Sequence, residues 1–294
     1  MKTLDKKLTI SIVNYNAGIY ILNCLKSLQA VKDEVSMEIY VVDNASTDDS
    51  IEKIIKEFPE VKVIENKENL GFGKAHNQVL KIAETEYILI LNPDVEIEKG
   101  VLKTAVEFMN HHTSVGVVTG QVILSDGRID LTAHRGLPTP LAAFKYYFLK
   151  DDSLYHLSKS DMSLPHEVDS VSGAFLLTRK SILESVGYFD EDYFMYAEDI
   201  DLCYRISTAG YKIMYLPGIK ILHHKGISTG LKKHTQQQTT ATLDTRKKMT
   251  GLFYDTMKIF YKKHLAKNYP FFINWIVYLG IDTKHFLAKR KLIV

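Results

Sequence analysis

The first hundred residues alternate between two hydrophobic periods, and this alternation limits the fold more than any other feature. Short apolar runs stand at Leu8–Val13 (LTISIV), Glu38–Val42 (EIYVV), Val61–Glu65 (VKVIE) and Tyr87–Leu91 (YILIL). Between them lie stretches with helical spacing: Tyr20–Gln29, Ser50–Glu57 with Ser46 or Asp48 as its cap, and Gly73–Ala83. Strand and helix in alternation call for right-handed parallel crossovers and a Rossmann-like sheet covered on both faces. A run as uniformly apolar as Tyr87–Leu91 fits a strand buried on both sides. Pro93 cannot donate to a sheet ladder, so this strand should end near Asn92. Asp94 then stands just past the carboxyl edge, where open α/β sheets place their ligands.

Beyond Gly100 the pattern is mixed. Val115–Val118, Gln121–Leu124, Val168–Leu177 and Lys212–Leu216 read as strands, and Ile182–Val186 and Asp199–Ala209 as helices. Leu137–Lys159 reads as a loop or helical insertion. After Gly230 a polar stretch leads to helical patterns at Met249–His264 and Phe271–Leu287. The expected layout is an α/β domain over residues 1–230, with a mixed, mainly parallel sheet flanked by helices. A basic helical C-terminal extension follows over residues 231–294.

Charge sharpens that division. The chain carries only +2 in total, yet from Leu231 onward 13 Lys or Arg face three Asp, so the first 230 residues carry −8. A basic tail suits anionic lipid, nucleic acid or an acidic partner. Two cysteines make no disulfide framework, and the N-terminus lacks the apolar core of a signal peptide. Both point to the cytoplasm. The apolar stretch from Tyr269 to Ile281 is too short to span a bilayer.

Three polar clusters follow successive predicted strands: Asn14-Tyr15-Asn16, then Asp43 to Asp48 (DNASTD), then Asn92-Pro93-Asp94. Any one alone reads as a turn. Three on one sheet edge read as a site, with Asp43 placed for a base or ribose. Asp94 suits a hard divalent cation that holds phosphates. The glycine loops of dinucleotide and Walker sites are missing; the Gly71-Phe72-Gly73 pair lies two strands too late.

Two further groups carry chemistry. Glu198, Asp199 and Asp201 open a helix after an aromatic approach (DYFMYA). Helix-start acids favour the dipole, and Asp201 with Arg205 makes an i,i+4 pair. Enclosed carboxylates can also acquire the raised pKa of a general base. His223 and His224 follow a short strand-like run and point opposite ways, so only one can serve a given site. Ser228 and Thr229 suit a phosphate contact or a cap.

The segments SIVNYN, VVDNASTDDS, ENLGFGKAHNQ, LILNPDV, SGAFLLTR, FDEDYFMYAEDIDLCYR and HHKGIST occur in this order. Together they resemble the family 2 glycosyltransferases of GT-A fold, in particular the bacterial rhamnosyltransferase-like branch, over Leu8 to Thr229. The resemblance implies inverting transfer from a nucleotide-diphosphate sugar, dTDP-rhamnose or a UDP-hexose, to an acceptor hydroxyl. That acceptor is a glycan or lipid-linked sugar in cell-surface polysaccharide synthesis. It further implies that Asn14, Tyr15 and Asn16 line the nucleotide pocket with Asp43, and that Asn69, Gly71 and Asn77 approach the nucleotide and its sugar. Asn92-Pro93-Asp94 stands where the family often has Asp-x-Asp, which leaves Asp94 as the ligand of Mg²⁺ or Mn²⁺. Asp199 matches the catalytic base, Glu198 orients the acceptor, and Ser172-Gly173-Ala174 wall the acceptor side. His223 fits the late metal or diphosphate contact, with His224 as competitor.

The tail sequence Tyr269 to Ile276 is aromatic and neutral, with Lys289-Arg290-Lys291 close behind. It reads as an interfacial helix at the inner face of the membrane, or as an ordinary helix packed on the body or a second subunit. Competing functions are a sugar-phosphate nucleotidyltransferase, which would want a basic Gly-rich loop after the first strand, and a non-catalytic nucleotide-sugar-binding subunit. No nucleic-acid-reading module is recognisable.

Overall fold

The computed structural model describes residues 7–224 and 243–291. The expected alternation is present: β1 (Leu8–Asn14), α1 (Ile19–Ala30), β2 (Met37–Asp43), α2 (Ser50–Glu57), β3 (Lys62–Glu65), α3 (Phe72–Ile82) and β4 (Tyr87–Leu91). β5 (Val95–Ile97), α4 (Val101–His111) and β6 (Val115–Leu124) follow. Next come β7 (His134–Arg135), α5 (Pro140–Phe144), β8 (His166–Glu167), β9 (Ser170–Val171) and β10 (Phe175–Arg179). α6 (Lys180–Val186), α7 (Glu198–Thr208) and β11 (Lys212–His223) complete the body, and α8 (Leu243–Phe260) and α9 (Phe271–Lys291) form the tail.

The main sheet runs β3-β2-β1-β4-β10-β6-β11-β5, with β8 also paired to β11. The first four strands are parallel, while β10 runs antiparallel between β4 and β6. The sheet is therefore mixed, as expected for the whole chain. Every residue of Tyr87–Leu91 is buried. Tyr87, Leu89 and Leu91 face the cluster built with α1, α2 and α4, and Ile88 and Ile90 face the one built with α3, α6 and α7. Two-sided burial is what the unbroken apolar run encodes.

Three irregularities were hidden in the sequence. The strand read as broken at Thr119-Gly120 is continuous, because Gly120 makes room for Ile219, whose side chain would meet a β-carbon there at 2.4 Å. β11 likewise runs on past Leu216, its register against β6 shifting across Pro217–Ile219. The strand expected over Val168–Leu177 is split: β9 pairs with β7 in a separate ribbon, and Ser172-Gly173-Ala174 step over to β10. Asp48 accepts from Ser50 N at the start of α2, whereas Ser46 is engaged elsewhere.

The tail is a helical hairpin. α8 passes into a π turn at Tyr261–Leu265 before α9 returns along it. Tyr193 and Ile200 of the body pack with Phe260, Tyr261 and Leu265 of the tail in one cluster. The expected boundary at residue 230, together with Ser228 and Thr229, lies outside the described residues.

Candidate active site

Parallel strands β1, β2 and β4 end side by side, with Asn14 registered against Asp43, so their polar ends meet at one edge. Asn14 is fully buried and donates from Nδ2 to Asp43 Oδ1 and Ser50 Oγ, each at 2.9 Å. Its Oδ1 is buried with no hydrogen-bond partner. Asp43 also accepts from Ser46 N at 2.9 Å and Ser46 Oγ at 2.5 Å. Asn16 adopts φ 53° and accepts from Thr47 N at 2.7 Å, which clips the two loops together. Tyr15 is exposed on the rim.

Asn44, one residue beyond β2, ties the next loop to this edge. It donates to Gly71 O at 2.9 Å and accepts from Asn66 Nδ2 at 3.0 Å. Asn69 Oδ1 in turn accepts from Gly71 N at 2.9 Å. Gly71 has φ 85°, and a β-carbon there would collide with the Phe194 carbonyl. Asn77 lines one cavity with Asn66 and Leu70. Its amide is consumed by the Phe189 backbone on both sides and by Glu191, at 2.9 to 3.0 Å, so it braces α3 against the loop after α6.

At the end of β4, Asp94 Oδ1 lies 3.1 Å from His223 Nε2, and Asn92 Nδ2 lies 3.4 Å from the same nitrogen. His224 is turned away, between Glu96 at 2.8 Å and Ser125 at 3.1 Å. Of the two imidazoles, that of His223 is the one that meets the Asp94 carboxylate, while His224 donates its backbone N–H to Asp94 O at 2.9 Å. Burial would raise the Asp94 pKa, but the charge and hydrogen bond of His223 outweigh it, and the carboxyl is held below its ordinary value. His223 Nδ1 is buried without a partner. Among the described residues no group of three His, Cys, Asp or Glu side chains gathers. The donor set still fits a hard cation: Mg²⁺ and Mn²⁺ commonly use one or two side-chain ligands and complete their shell with substrate phosphates and water.

A chain of contacts carries this edge to the acids of α7. Asn92 N donates to Ala174 O at 3.2 Å, and at Gly173 a β-carbon would press on the Phe72 ring at 2.6 Å. Phe72 N donates to Phe194 O at 2.9 Å. From Phe194 the backbone passes through Tyr196 (φ 73°) and Ala197 (φ 65°) before α7 begins. Two adjacent non-glycine residues in the left-handed region store strain, and such strain concentrates at functional sites.

The three acids have different surroundings. Glu198 is buried, and burial followed by the charge of Asp199 pushes its carboxyl well above the usual range. Its Oε2 has no hydrogen-bond partner. Asp199 is half-buried, and its Oδ1 accepts only from Ile200 N, at 2.8 Å, among the bonds described. Asp201 is fully buried and saturated: Arg205 binds it at 2.7 and 2.8 Å, and His264 of the tail at 2.6 Å. Sequence reasoning did not single out Arg135, at the end of β7. Burial opposes its charge, but Tyr155 and Asp199 more than offset that, and its Nε is buried without a partner. A lone Arg in an unreadable insertion gives no sequence signal.

The Glycosyl transferase family 2 profile matches residues 9–187, more than half of the chain. The chain belongs to glycosyl transferase family 2. It is similar to the N-acetylglucosaminyl-diphospho-decaprenol L-rhamnosyltransferase of Mycobacterium tuberculosis, 28% identical over 76% of this chain and 78% of that enzyme. The poly-beta-1,6-N-acetyl-D-glucosamine synthase of Staphylococcus aureus is 27% identical over 73% of this chain, which spans about half (52%) of the synthase. Among solved structures, a Pyrobaculum calidifontis mannosyltransferase in complex with GDP-Man and Mn²⁺ superposes with TM-score 0.56 at 18% identity. That match covers 87% of this chain and 65% of the other. S. aureus TarS 1-349 with UDP-GlcNAc gives TM-score 0.54 at 22% identity, covering 84% and 65%. These likenesses establish the GT-A fold for this glycosyltransferase.

Proposed function

We propose that this family 2 glycosyltransferase moves a hexosyl or rhamnosyl group, with inversion, from a nucleotide-diphosphate sugar to a hydroxyl of a lipid-linked or glycan acceptor. The observation that supports the reading is the run of contacts from Asn92 through Gly173, Phe72 and Phe194, which links the end of β4, next to the Asp94–His223 pair, to the approach to α7, where Glu198 and Asp199 stand. Asp43, fixed by Asn14 and Ser46, faces the ribose or base. Asp94 and His223 would hold a divalent cation. When bound, it neutralises charge on the departing diphosphate.

Asp199 has the exposure and the free carboxylate oxygen that a general base needs. It accepts the acceptor hydroxyl proton as that oxygen attacks C1 on the face opposite the diphosphate. The C1–O bond to phosphate breaks, its electron pair leaves with the nucleoside diphosphate, and the configuration inverts without a covalent enzyme intermediate. Glu198, driven toward its neutral form, can donate a hydrogen bond to the acceptor beside Asp199, a role that burial gives one member of a carboxylate pair. Arg135 sets a positive charge beside Asp199. The mycobacterial relative's name, a rhamnosyltransferase acting on a decaprenol-linked sugar, favours a rhamnosyl donor and a lipid-linked acceptor. The aromatic, basic tail then brings the site to the membrane surface. No described helix is long and apolar enough to cross it.

Thermal shift with dTDP, UDP and GDP, each with and without Mn²⁺ or Mg²⁺, tests this on wild type and Asp94→Ala. A nucleotide at about 100 times its Kd stabilises the fold by about 2.7 kcal/mol. The expected result is metal-dependent stabilisation of the wild type that Asp94→Ala loses. No shift with any nucleotide would sink the assignment.

A further inference from the structure

Each of the three rings in the approach to α7 (DYFMYA) meets the tail. Lys263 Nζ stands 5.4 Å from the centre of the Tyr193 ring, and Lys248 Nζ 5.3 Å from that of Phe194. Phe253 meets Tyr196 edge to face, with ring centres 5.7 Å apart. Ala197 packs on the cluster that joins Tyr193 and Ile200 to Phe260, Tyr261 and Leu265. Lys263 also bonds Asp190, and Asp192 at 2.6 Å. These partners come from α8 and from the π turn that continues it, and π turns recur at functional sites.

His264 completes this grip at the helix itself. Its ring packs against Tyr204 and Phe260, with centres 4.5 and 5.0 Å away, and its Nε2 is 2.6 Å from Asp201 Oδ1. Arg205, the other partner of Asp201, lies in the second half of α7 and binds the carbonyls of Val186 and Tyr188. That end of the helix is thereby tied to the body. The first turn, which carries Asp199, starts instead from Tyr196 and Ala197 at φ 73° and 65°. Left-handed geometry in two adjacent non-glycine residues persists only where the surroundings over-determine it, and here the tail supplies the surroundings. We propose that His264, acting through Asp201, is a positioning residue that fixes the first turn of α7 and hence where the Asp199 carboxylate stands. This rests on the proposed role of Asp199 as general base. The donor side is reached by another route, from Phe194 O to Phe72 N, which does not pass through Asp201. Loss of the His264 bond should therefore slow transfer and leave donor binding intact.

The test compares the full chain with its His264→Leu and His264→Gln variants. Leu keeps apolar bulk against Tyr204 and Phe260 and abolishes the bond to Asp201. Gln offers an amide N–H on a side chain of matching reach. Donors are dTDP-rhamnose and UDP-glucose with Mn²⁺, and the acceptor is an N-acetylglucosaminyl-diphospho-polyprenol. In His264→Leu kcat should fall about tenfold or more, since misplacing a reacting group by about 1 Å can cost about 100-fold. Donor KM and the nucleotide-induced thermal shift should hold, the pattern of an interaction realised only in the transition state, and His264→Gln should restore kcat. Hydrogen exchange at the Ile200 and Asp201 amides should quicken in His264→Leu and not in His264→Gln. Unchanged kcat in His264→Leu overturns the proposal. So does a joint loss of kcat and thermal shift that Gln does not repair, which marks His264 as a strut of the fold. If the wild type transfers neither sugar, or Asp199→Asn transfers as fast as the wild type, the functional reading itself has failed and the positioning role falls with it.

Discussion

The three acids that open α7 should respond to mutation in three different ways. Asp201 is wholly buried against Arg205 and His264. Truncating it to Ala leaves the guanidinium partly covered and uncompensated, with only the Val186 and Tyr188 carbonyls left to it. Breaking a buried pair costs about 3–5 kcal/mol, and those two carbonyls put the expected loss near the lower end, about 3 kcal/mol. At about 2 °C per kcal/mol for a chain of this size, Tm should fall by about 6 °C or more. Asp199→Ala forfeits one hydrogen bond to Ile200 N and a favourable place at the helix start, together about 0.5–1 kcal/mol, so Tm should move by about 2 °C at most. Its turnover should fall by about 10²–10⁴, the usual contribution of a positioned base. Glu198→Gln removes a carboxyl that burial already drives toward neutrality, so Tm should hold or rise while turnover falls. Differential scanning calorimetry paired with nucleoside-diphosphate release separates the three. If Asp199→Ala loses as much Tm as Asp201→Ala, or Asp201→Ala keeps its stability and only loses turnover, the division of roles is wrong.

Further outcomes follow from the same structure. Burial lowers the His76 pKa from 6.5 to about 3, so the folded state binds fewer protons than the unfolded one in between. Its contribution is intact above about pH 6.5 and is lost on acidification at about 1.4 kcal/mol per pH unit. Between about pH 7.5 and about pH 5 urea unfolding should show the wild type losing about 2 kcal/mol more than His76→Gln, and equal slopes would contradict this. Gly71→Ala forces a side chain into φ 85° and onto the Phe194 carbonyl, so it should lose about 2–4 kcal/mol by calorimetry and bind nucleotide more weakly. Arg135→Ala should reduce acceptor-dependent turnover about tenfold or more while leaving nucleotide-induced stabilisation unchanged; a loss of nucleotide binding would place Arg135 on the donor side.

The sequence was most legible where one residue type has one physical meaning. Tyr87–Leu91 could only be a doubly buried strand, and Pro93 could only end it. The strand-end clusters followed, since parallel strands with short connections put their carboxyl ends on one edge. The acids of α7 were harder. Glu198, Asp199 and Asp201 share a helix start and differ only in what the distant chain brings to them: Arg135 from the insertion, His264 from the tail. The choice between His223 and His224 depended on which side of β11 meets Asp94, and the bulge over Pro217–Ile219 makes that register unreadable from spacing. Asn77 sits in a motif beside Gly71 and Gly73, yet the loop after α6, over a hundred residues later, absorbs its amide. Long-range partners decide such roles, and no local pattern encodes them.

The tail illustrates how a sequence boundary can mislead an experiment. The charge step near residue 230 suggests a detachable basic extension, and cutting the chain at Leu265 is the obvious probe of its membrane role. In the structure that cut leaves α8 without α9, removes Asn274 from Tyr261, and strips the far side of the cluster that includes Tyr193 and Ile200. His264 and Lys263, which hold Asp201 and the Asp190–Asp192 pair, sit in the π turn immediately before the cut. Truncation would therefore disturb the mount of α7 as well as any membrane contact, and reduced activity could not be assigned to either. Substitutions of exposed α9 side chains, such as Phe272→Ser and Trp275→Ser, leave its packed residues Val277, Tyr278 and Ile281 in place. They separate the two roles: loss of vesicle binding with nucleotide response intact marks a membrane face, whereas loss of both marks a strut for α7.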